Sequence, residues 1–376
     1  MFKLKEFFYS NLIIFFIILL GFGFRLLVAT RGHNYDFDSF LIVARIVESG
    51  ENVYANTARY NYGPIWFNVI YFLFQLSSKN ELIFRYVIAT FLSIVDIVIF
   101  IILSKRFNKI IAYLFLLNPM SIIITGYHNQ FDNLALLLGM FAVNIIGENF
   151  EKNIDCKKIL GLFVLGLSII TKHILFLFPL WLAIKQKGRW QKIFVILFPT
   201  LMFALSFTPY WQDGKQGIIQ NVFLYKFFDN AYFFFLFIPK ILQLLFSSQA
   251  VWVVLLIICA FVFRKSNAFD SLLLYTSVLV IASPAMANQY LAIVLPFVAV
   301  NLNPFTFLYT IAGSFFLLID PDGLHVFDKL HESYAFAFYP LLLFLLLLGF
   351  IKSLWSSQMR EIINRIYAEI KIQFCA

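Results

Sequence analysis

Charged side chains are scarce in this chain: they make up 13% of 376 residues, against 61% apolar residues and 49 Phe. A soluble globular fold needs more polar surface than that, so the soluble class is excluded. Cysteine is scarce as well. Cys156, Cys259 and Cys375 fall in a basic loop, a hydrophobic segment and the C-terminal tail, and no disulfide framework is expected. No His/Cys spacing typical of a zinc site occurs. Long hydrophilic stretches are missing, which leaves no room for a separate soluble domain and makes 1–376 a single membrane-embedded unit. No small-residue cleavage site follows the first apolar segment, Asn11–Ala29, so it reads as a retained anchor. The net charge of +9 comes from Lys and Arg gathered in short loops, the positive-inside pattern, and gives no reason to expect nucleic acid.

What is present is a series of apolar segments, and in lipid the backbone groups of such segments must be satisfied internally by a helix. The expected fold is all-α: a polytopic integral membrane protein with about 12 transmembrane helices and surface helices in the first outer loop. Lys3 and Lys5 place the N-terminus in the cytoplasm, and Lys105, Arg106 and Lys109 mark the next cytoplasmic loop. Parity allows one crossing between the first outer loop and that one. Leu82–Leu103 is long enough for it; Ile65–Leu76, opened by Gly63-Pro64, reads as a helix on the outer surface.

Beyond it, Ile110–Gly126 exits, Tyr127–Asn133 is an outer loop, and Leu134–Ile146 returns to a loop with Lys152, Lys157 and Lys158. Ile159–Ile184 is expected to be a hairpin of two short helices broken at Lys172-His173, because Lys185, Lys187, Arg189 and Lys192 mark a further cytoplasmic loop. Ile193–Tyr210 exits to an outer loop, Trp211–Asn230, and one crossing reaches Arg264-Lys265. Phe269–Ile281, Leu291–Leu302, Phe305–Ile319 and Tyr339–Ile351 complete the alternation. The tail, 353–376, repeats Met359, Ile362, Ile363, Ile366 and Ile370 against Arg360, Arg365 and Lys371, a basic amphipathic helix for membrane lipids. The expected location is the cell (inner) membrane, with both termini cytoplasmic.

This topology gathers the polar residues on the outer side: Asp36 and Asp38 in the loop 30–64, the cluster His128-Asn129-Gln130-Phe131-Asp132-Asn133, Lys172-His173, and Asn288-Gln289-Tyr290. The one clear charge at mid-membrane is Asp96, which reads as a hydrogen bond within the bundle, to Arg85 or a neighbouring helix. Each outer residue also has a plain reading. Asp38 can share a catalytic role, hold a divalent ion with Asp36, or cap a helix starting near Ser39. Asp132 can cap the helix that follows it. Lys172 and Arg25 can snorkel to the interface, and His128 can be a hydrogen-bonded loop residue.

The stretch Asp36-Phe37-Asp38-Ser39-Phe40, with Ala44, Gly50, Tyr54 and Tyr62-Gly63-Pro64-Ile65-Trp66, resembles the first outer loop of GT-C glycosyltransferases, closest to polyprenyl-phosphate-mannose-dependent and GPI-type mannosyltransferases. Asn118-Pro119 leading to Gly126 and Gln130-Phe131-Asp132, then Thr171-Lys172 before Pro179, then Gln289-Tyr290 before Pro296, resemble further family motifs in order. Tyr127-His128-Asn129 departs from the pattern. The resemblance implies a hexosyltransferase that takes a sugar from a polyprenyl-phosphate donor and gives it to a lipid-linked or glycan acceptor; the absence of a large outer C-terminal domain points away from peptide-binding members.

That transfer needs one base to accept the acceptor hydroxyl's proton, for which Asp36 or Asp38 is the candidate. The phosphate leaving group needs cationic and hydrogen-bonding stabilisation rather than an acid. Lys172 is the first candidate, with His173 or Arg25 as a second donor, and His128, Gln130, Asp132, Gln289 and Tyr290 as further substrate-binding residues. A divalent cation, Mg2+ or Mn2+, is possible only through Asp36 and Asp38. A transporter or flippase of a lipid-linked glycan is the alternative, and would be favoured by internal repeats and helices broken at mid-membrane; no clear repeat is present. A non-enzymatic scaffold leaves the ordered outer motifs without a role.

Overall fold

The computed structural model describes residues 2–148, 150, 154–225, 248–285, 287–320, 322–324, 326 and 338–356. The protein is an all-α polytopic membrane protein. Its first half runs α1 (Phe2–Ala29), α2 (Tyr35–Glu48), α3 (Val53–Asn56), α4 (Pro64–Leu76), α5 (Glu81–Arg106), α6 (Lys109–Leu116), α7 (Pro119–Gly126), α8 (Asp132–Ile146) and α9 (Cys156–Thr171). After a 3-10 turn, His173–Leu175, come α10 (Phe178–Ala183), α11 (Arg189–Leu205) and α12 (Trp211–Gly217). Helices Ser248–Val262, Ala268–Ile281, Tyr290–Ile293, Leu295–Val300, Pro304–Ile319 and Phe338–Ser356 follow.

Large apolar side chains of α1, among them Phe15, Phe16, Leu19 and Phe24, are exposed, while Arg25 on the same helix is fully buried. That inversion is what a lipid solvent imposes: apolar residues outward, polar ones paired inside. Helices Asn11–Ala29, Glu81–Arg106, Arg189–Phe223 and Phe338–Ser356 are long and apolar enough to cross a bilayer. Six other apolar helices among the described residues run 10–17 residues, shorter than the roughly 20 a straight crossing takes. The tail beyond residue 356 lies outside the described residues.

Three expected elements come out differently. The segment Ile110–Gly126 is not one helix but α6 and α7, bent by 48°. Pro119 has no N–H to bond back to the preceding turn, and the Asn118 side chain caps the new helix by accepting from Met120 N. Leu291–Leu302 is broken likewise into Tyr290–Ile293 and Leu295–Val300, just ahead of Pro296. Trp211–Asn230 is not a loop in its first part: helical structure continues from α11 through a 3-10 turn at Thr208–Tyr210, α12 and a π-helical turn, Ile218–Phe223. Residues 226–230 lie outside the described residues. Gly217 makes this extension possible, since a Cβ there would stand 1.8 Å from the Tyr54 carbonyl oxygen of α3.

The break at Lys172 is present. Lys172 is extended (φ −153°), ending α9, which packs along α8 and α11, whereas α10 packs on α11 and the helices Ser248–Val262 and Ala268–Ile281. α4 begins where Gly63-Pro64 predicts, with Gly63 at the cap position and Pro64 first in the helix. A Cβ on Gly63 would lie 2.0 Å from the Ile170 carbonyl oxygen, so the start of α4 presses directly on the end of α9. This contact brings the segment 30–64 over Lys172, with the Tyr62 ring 5.1 Å from its ammonium.

Candidate active site

Asp36 sits in the first turn of α2, whose N-cap is Asn34: the Asn34 Oδ1 accepts from the Asp36 backbone N–H at 3.1 Å. The cap role considered for Asp38 therefore belongs to Asn34, and the helix starts at Tyr35 rather than near Ser39. Across from α2, the turn between α7 and α8 carries His128 to Phe131. Its geometry is fixed by Asn129, left-handed at φ +54°, whose Nδ2 donates to the carbonyls of Thr125 and Gly126. Phe131 is the clamp: it stacks on Trp66 of α4 at 4.1 Å between centroids and meets Phe40 of α2 edge-on. Gln130 and Asp132 are held on either side of it.

These pieces form a continuous chain of polar contacts. Asp36 Oδ2 accepts from Asn34 Nδ2 at 3.1 Å and from Gln130 Nε2. Gln130 Oε1 accepts from Lys172 Nζ at 3.1 Å, and Lys172 Nζ donates to Asp132 Oδ2 at 2.7 Å. Lys172 is buried, with the rings of Phe131 at 4.6 Å and Tyr62 at 5.1 Å from its ammonium. It does not snorkel. Asp132 is no helix cap either; its carboxylate is the counter-ion of Lys172. Asp36 Oδ1 takes no partner among the described residues and remains accessible. Burial pushes the Asp36 pKa above the usual carboxylate range; Lys172 and the two amides work against that shift, and Asp132 adds to it.

The other expected residues divide. Tyr290 opens a short helix within electrostatic reach of Asp132, and the next turn, Ala292 and Ile293, lines the small internal gap beside Gln130 and Asp132. Gln289 makes no bond to the cluster among the described residues. The His173 ring lies 6.4 Å from Tyr62, with its Nδ1 buried and without a partner among the described residues. His128 is buried and bonds Asn34 through Nδ1 at 2.8 Å.

Arg25 is placed elsewhere, in the bundle. Its Nε donates to Asp96 Oδ2 at 3.0 Å, Nη2 to Ser121 Oγ at 2.8 Å, and Nη1 to the carbonyls of Gly21 and Leu116. Reading it as a second phosphate donor is thus corrected. The partner of Asp96 is Arg25 on the neighbouring helix α1, as one of the two readings has it, rather than Arg85, and the Leu116 carbonyl is one of those that the α6–α7 bend sets free. Thr125 and Asn133 complete the shell of Asp96.

Asp36 and Asp38 do not suit a shared divalent ion. Two residues apart on a helix, they point to different sides. Asp38 is half-exposed beside His33, at 3.6 Å, and no group of three or more His, Cys, Asp or Glu able to hold a metal exists among the described residues. Asn34 was not singled out from the sequence, although an Asn just ahead of an acidic first turn is an N-cap signal. Tyr62 was noted only as part of a motif; its ring covers Lys172.

No protein-family model matches the chain, and no curated protein matches its sequence. A search of solved structures finds ArnT from Cupriavidus metallidurans, in its apo state, at a TM-score of 0.50 and 14% identity, over 91% of this chain and 76% of that one. The two chains share a fold.

Proposed function

We propose that this chain is a GT-C glycosyltransferase that moves a sugar, a hexose such as mannose, from a polyprenyl-phosphate donor to a lipid-linked or glycan acceptor at the outer membrane face. The observation that carries this reading is the convergence on one cluster of Asp36, Gln130, Asp132 and Lys172, drawn from three separate motifs. The fold shared with ArnT suits this reading. In this reading the acceptor oxygen attacks the anomeric carbon as its proton passes to Asp36 Oδ1. The bond from that carbon to the phosphate oxygen breaks on the opposite face and its electron pair leaves with the phosphate, so the centre inverts. Lys172 has three N–H donors and gives two of them to Gln130 and Asp132. The third, with the cation's field, serves the charge developing on the phosphate.

A flippase reading draws on the bend between α6 and α7, next to a buried ion pair. Against it, every Arg25 nitrogen and both Asp96 carboxylate oxygens are already bonded to described residues of the bundle. Mass spectrometry of the reconstituted protein with polyprenyl-phosphate sugars and a lipid extract tests the choice: a new glycosylated lipid and released polyprenyl phosphate support transfer. Asp36→Asn should lower turnover on the order of 100-fold with donor binding nearly intact, since the amide keeps the shape but takes no proton. Near wild-type turnover in that variant would remove Asp36 as the base.

A further inference from the structure

Asn34 contacts more of the site than a helix cap requires. Its Oδ1 is committed to the Asp36 backbone N–H, which fixes the orientation of the amide. Its Nδ2, with two hydrogens, then faces two acceptors, Asp36 Oδ2 at 3.1 Å and His128 Nδ1 at 2.8 Å. Because Asn34 donates, His128 Nδ1 is a lone pair and the ring proton sits on Nε2. His128 is 1% exposed, and burial pushes its pKa down to about 4, so the ring is neutral at working pH. Its Nε2 is buried and has no partner among the described residues. Such a ring does not reach out to a substrate.

We propose that Asn34 and His128 are a positioning pair for the base: His128 Nδ1 holds the Asn34 amide, and the amide holds Asp36 Oδ2, leaving Oδ1 to take the acceptor's proton. The inference rests on the reading of Asp36 as the base. The other groups facing Asp36 are Lys172 and Asp132 beyond Gln130, Tyr62 ahead of α4, and Tyr225 after the π-helical turn. His33 and Asp38 pair with each other on the outer side of α2. Lys172 and Asp132 act on Asp36 in opposite directions, and the phenols are neutral. The Asn34 and Gln130 amides are therefore the neutral groups that favour ionised Asp36 directly.

Asn34→Asp separates positioning from capping, since Asp caps as well as Asn but sets a second carboxylate against Asp36 Oδ2. In that variant the acid limb of kcat/KM should rise by about one pH unit or more, with the donor KM within about threefold, and the thermal midpoint should fall only as pH rises through that limb. His128→Leu should lower kcat about tenfold and raise the same limb; His128→Asn, whose amide oxygen can replace Nδ1 as acceptor, should recover most of the loss. Nitrogen-15 NMR on histidine-labelled protein gives a readout free of activity: His128 should be the Nε2–H tautomer, and Asn34→Asp should move its titration from about 4 toward the ordinary value near 6.5. An unmoved acid limb in both Asn34→Asp and His128→Leu, with Asp36→Asn inactive, overturns the pair and leaves the base standing. Activity surviving in Asp36→Asn overturns both.

Discussion

Gln130 stands between a carboxylate and an ammonium, and its amide conveys the charge of Lys172 to Asp36 without neutralising it. Asp132 already balances Lys172, which leaves Asp36 a half-buried carboxylate with a raised pKa. The sign for catalysis follows. A base must be ionised, so kcat/KM should fall as pH drops through that raised value, and the acid limb should lie above the ordinary carboxylate value of about 4. A pH profile with its limb at or below that value would contradict the assignment. His128 is neutral above about 4 and adds no limb of its own near neutrality. Arg25 calls for a different experiment, because its pair with Asp96 is fully enclosed. Arg25→Leu should cost on the order of 3–5 kcal/mol by leaving a buried charge uncompensated, and the double variant Arg25→Leu/Asp96→Asn should regain most of that stability and of the activity. If the double variant folds yet stays inactive, Arg25 acts on substrate after all.

At the scale of elements, two glycines set where α4 and the π-helical turn meet their neighbours. Gly63→Ala should push α4 off the Ile170 carbonyl and lower the thermal unfolding midpoint, at a cost of about 1–3 kcal/mol. Gly23→Ala is the control, since no atom lies within 4 Å of the added Cβ; its midpoint should hold or rise. Equal midpoints for the two variants would mean that the α4–α9 contact is not tight. Element starts were legible because they rest on local chemistry: Gly63-Pro64 opens α4, and the isolated Lys172 ends α9 in an otherwise apolar run. Breaks were less legible where apolar character runs on unchanged. Composition reads Ile110–Gly126 as one span, and only the Asn118 cap with the missing Pro119 N–H divides it. Asp36, Gln130, Asp132 and Lys172 could be named from the sequence, whereas Asn34 was missed, Arg25 belongs to the bundle, and the bonds themselves were not legible. That Lys172 faces Asp132, and Asn34 faces His128, depends on Phe131 packing against Trp66 and Phe40, contacts between residues far apart in the chain.

For the whole molecule, loops of like character meet at opposite ends. Arg106 Nη2 donates to Asn267 Oδ1 at 3.4 Å and Lys185 Nζ to the Arg264 carbonyl at 3.0 Å, so three basic loops come together. At the other end of α5, Glu81 pairs with Arg45 of α2, on the side of the acidic loop. Exposed aromatic residues suit two interfaces: Tyr35 begins α2, while Trp190 begins α11 among Lys187, Arg189 and Lys192. On the proposed orientation, which follows the positive-inside pattern, the basic end lies in the cytoplasm and Asp36 outside. A cysteine-free background, with Cys156, Cys259 and Cys375 replaced, tests the assignment without assuming any activity. Tyr35→Cys should react with an impermeant maleimide added to intact cells, and Trp190→Cys only after the membrane is opened. Both positions are well exposed, so failure to label does not come from burial. Labelling of both from outside would show that α2 and the start of α11 share a face, which the single long helix from Arg189 to Phe223, ending beside Tyr54, does not allow; the reverse pattern would put the acid cluster in the cytoplasm and require a donor presented on that side.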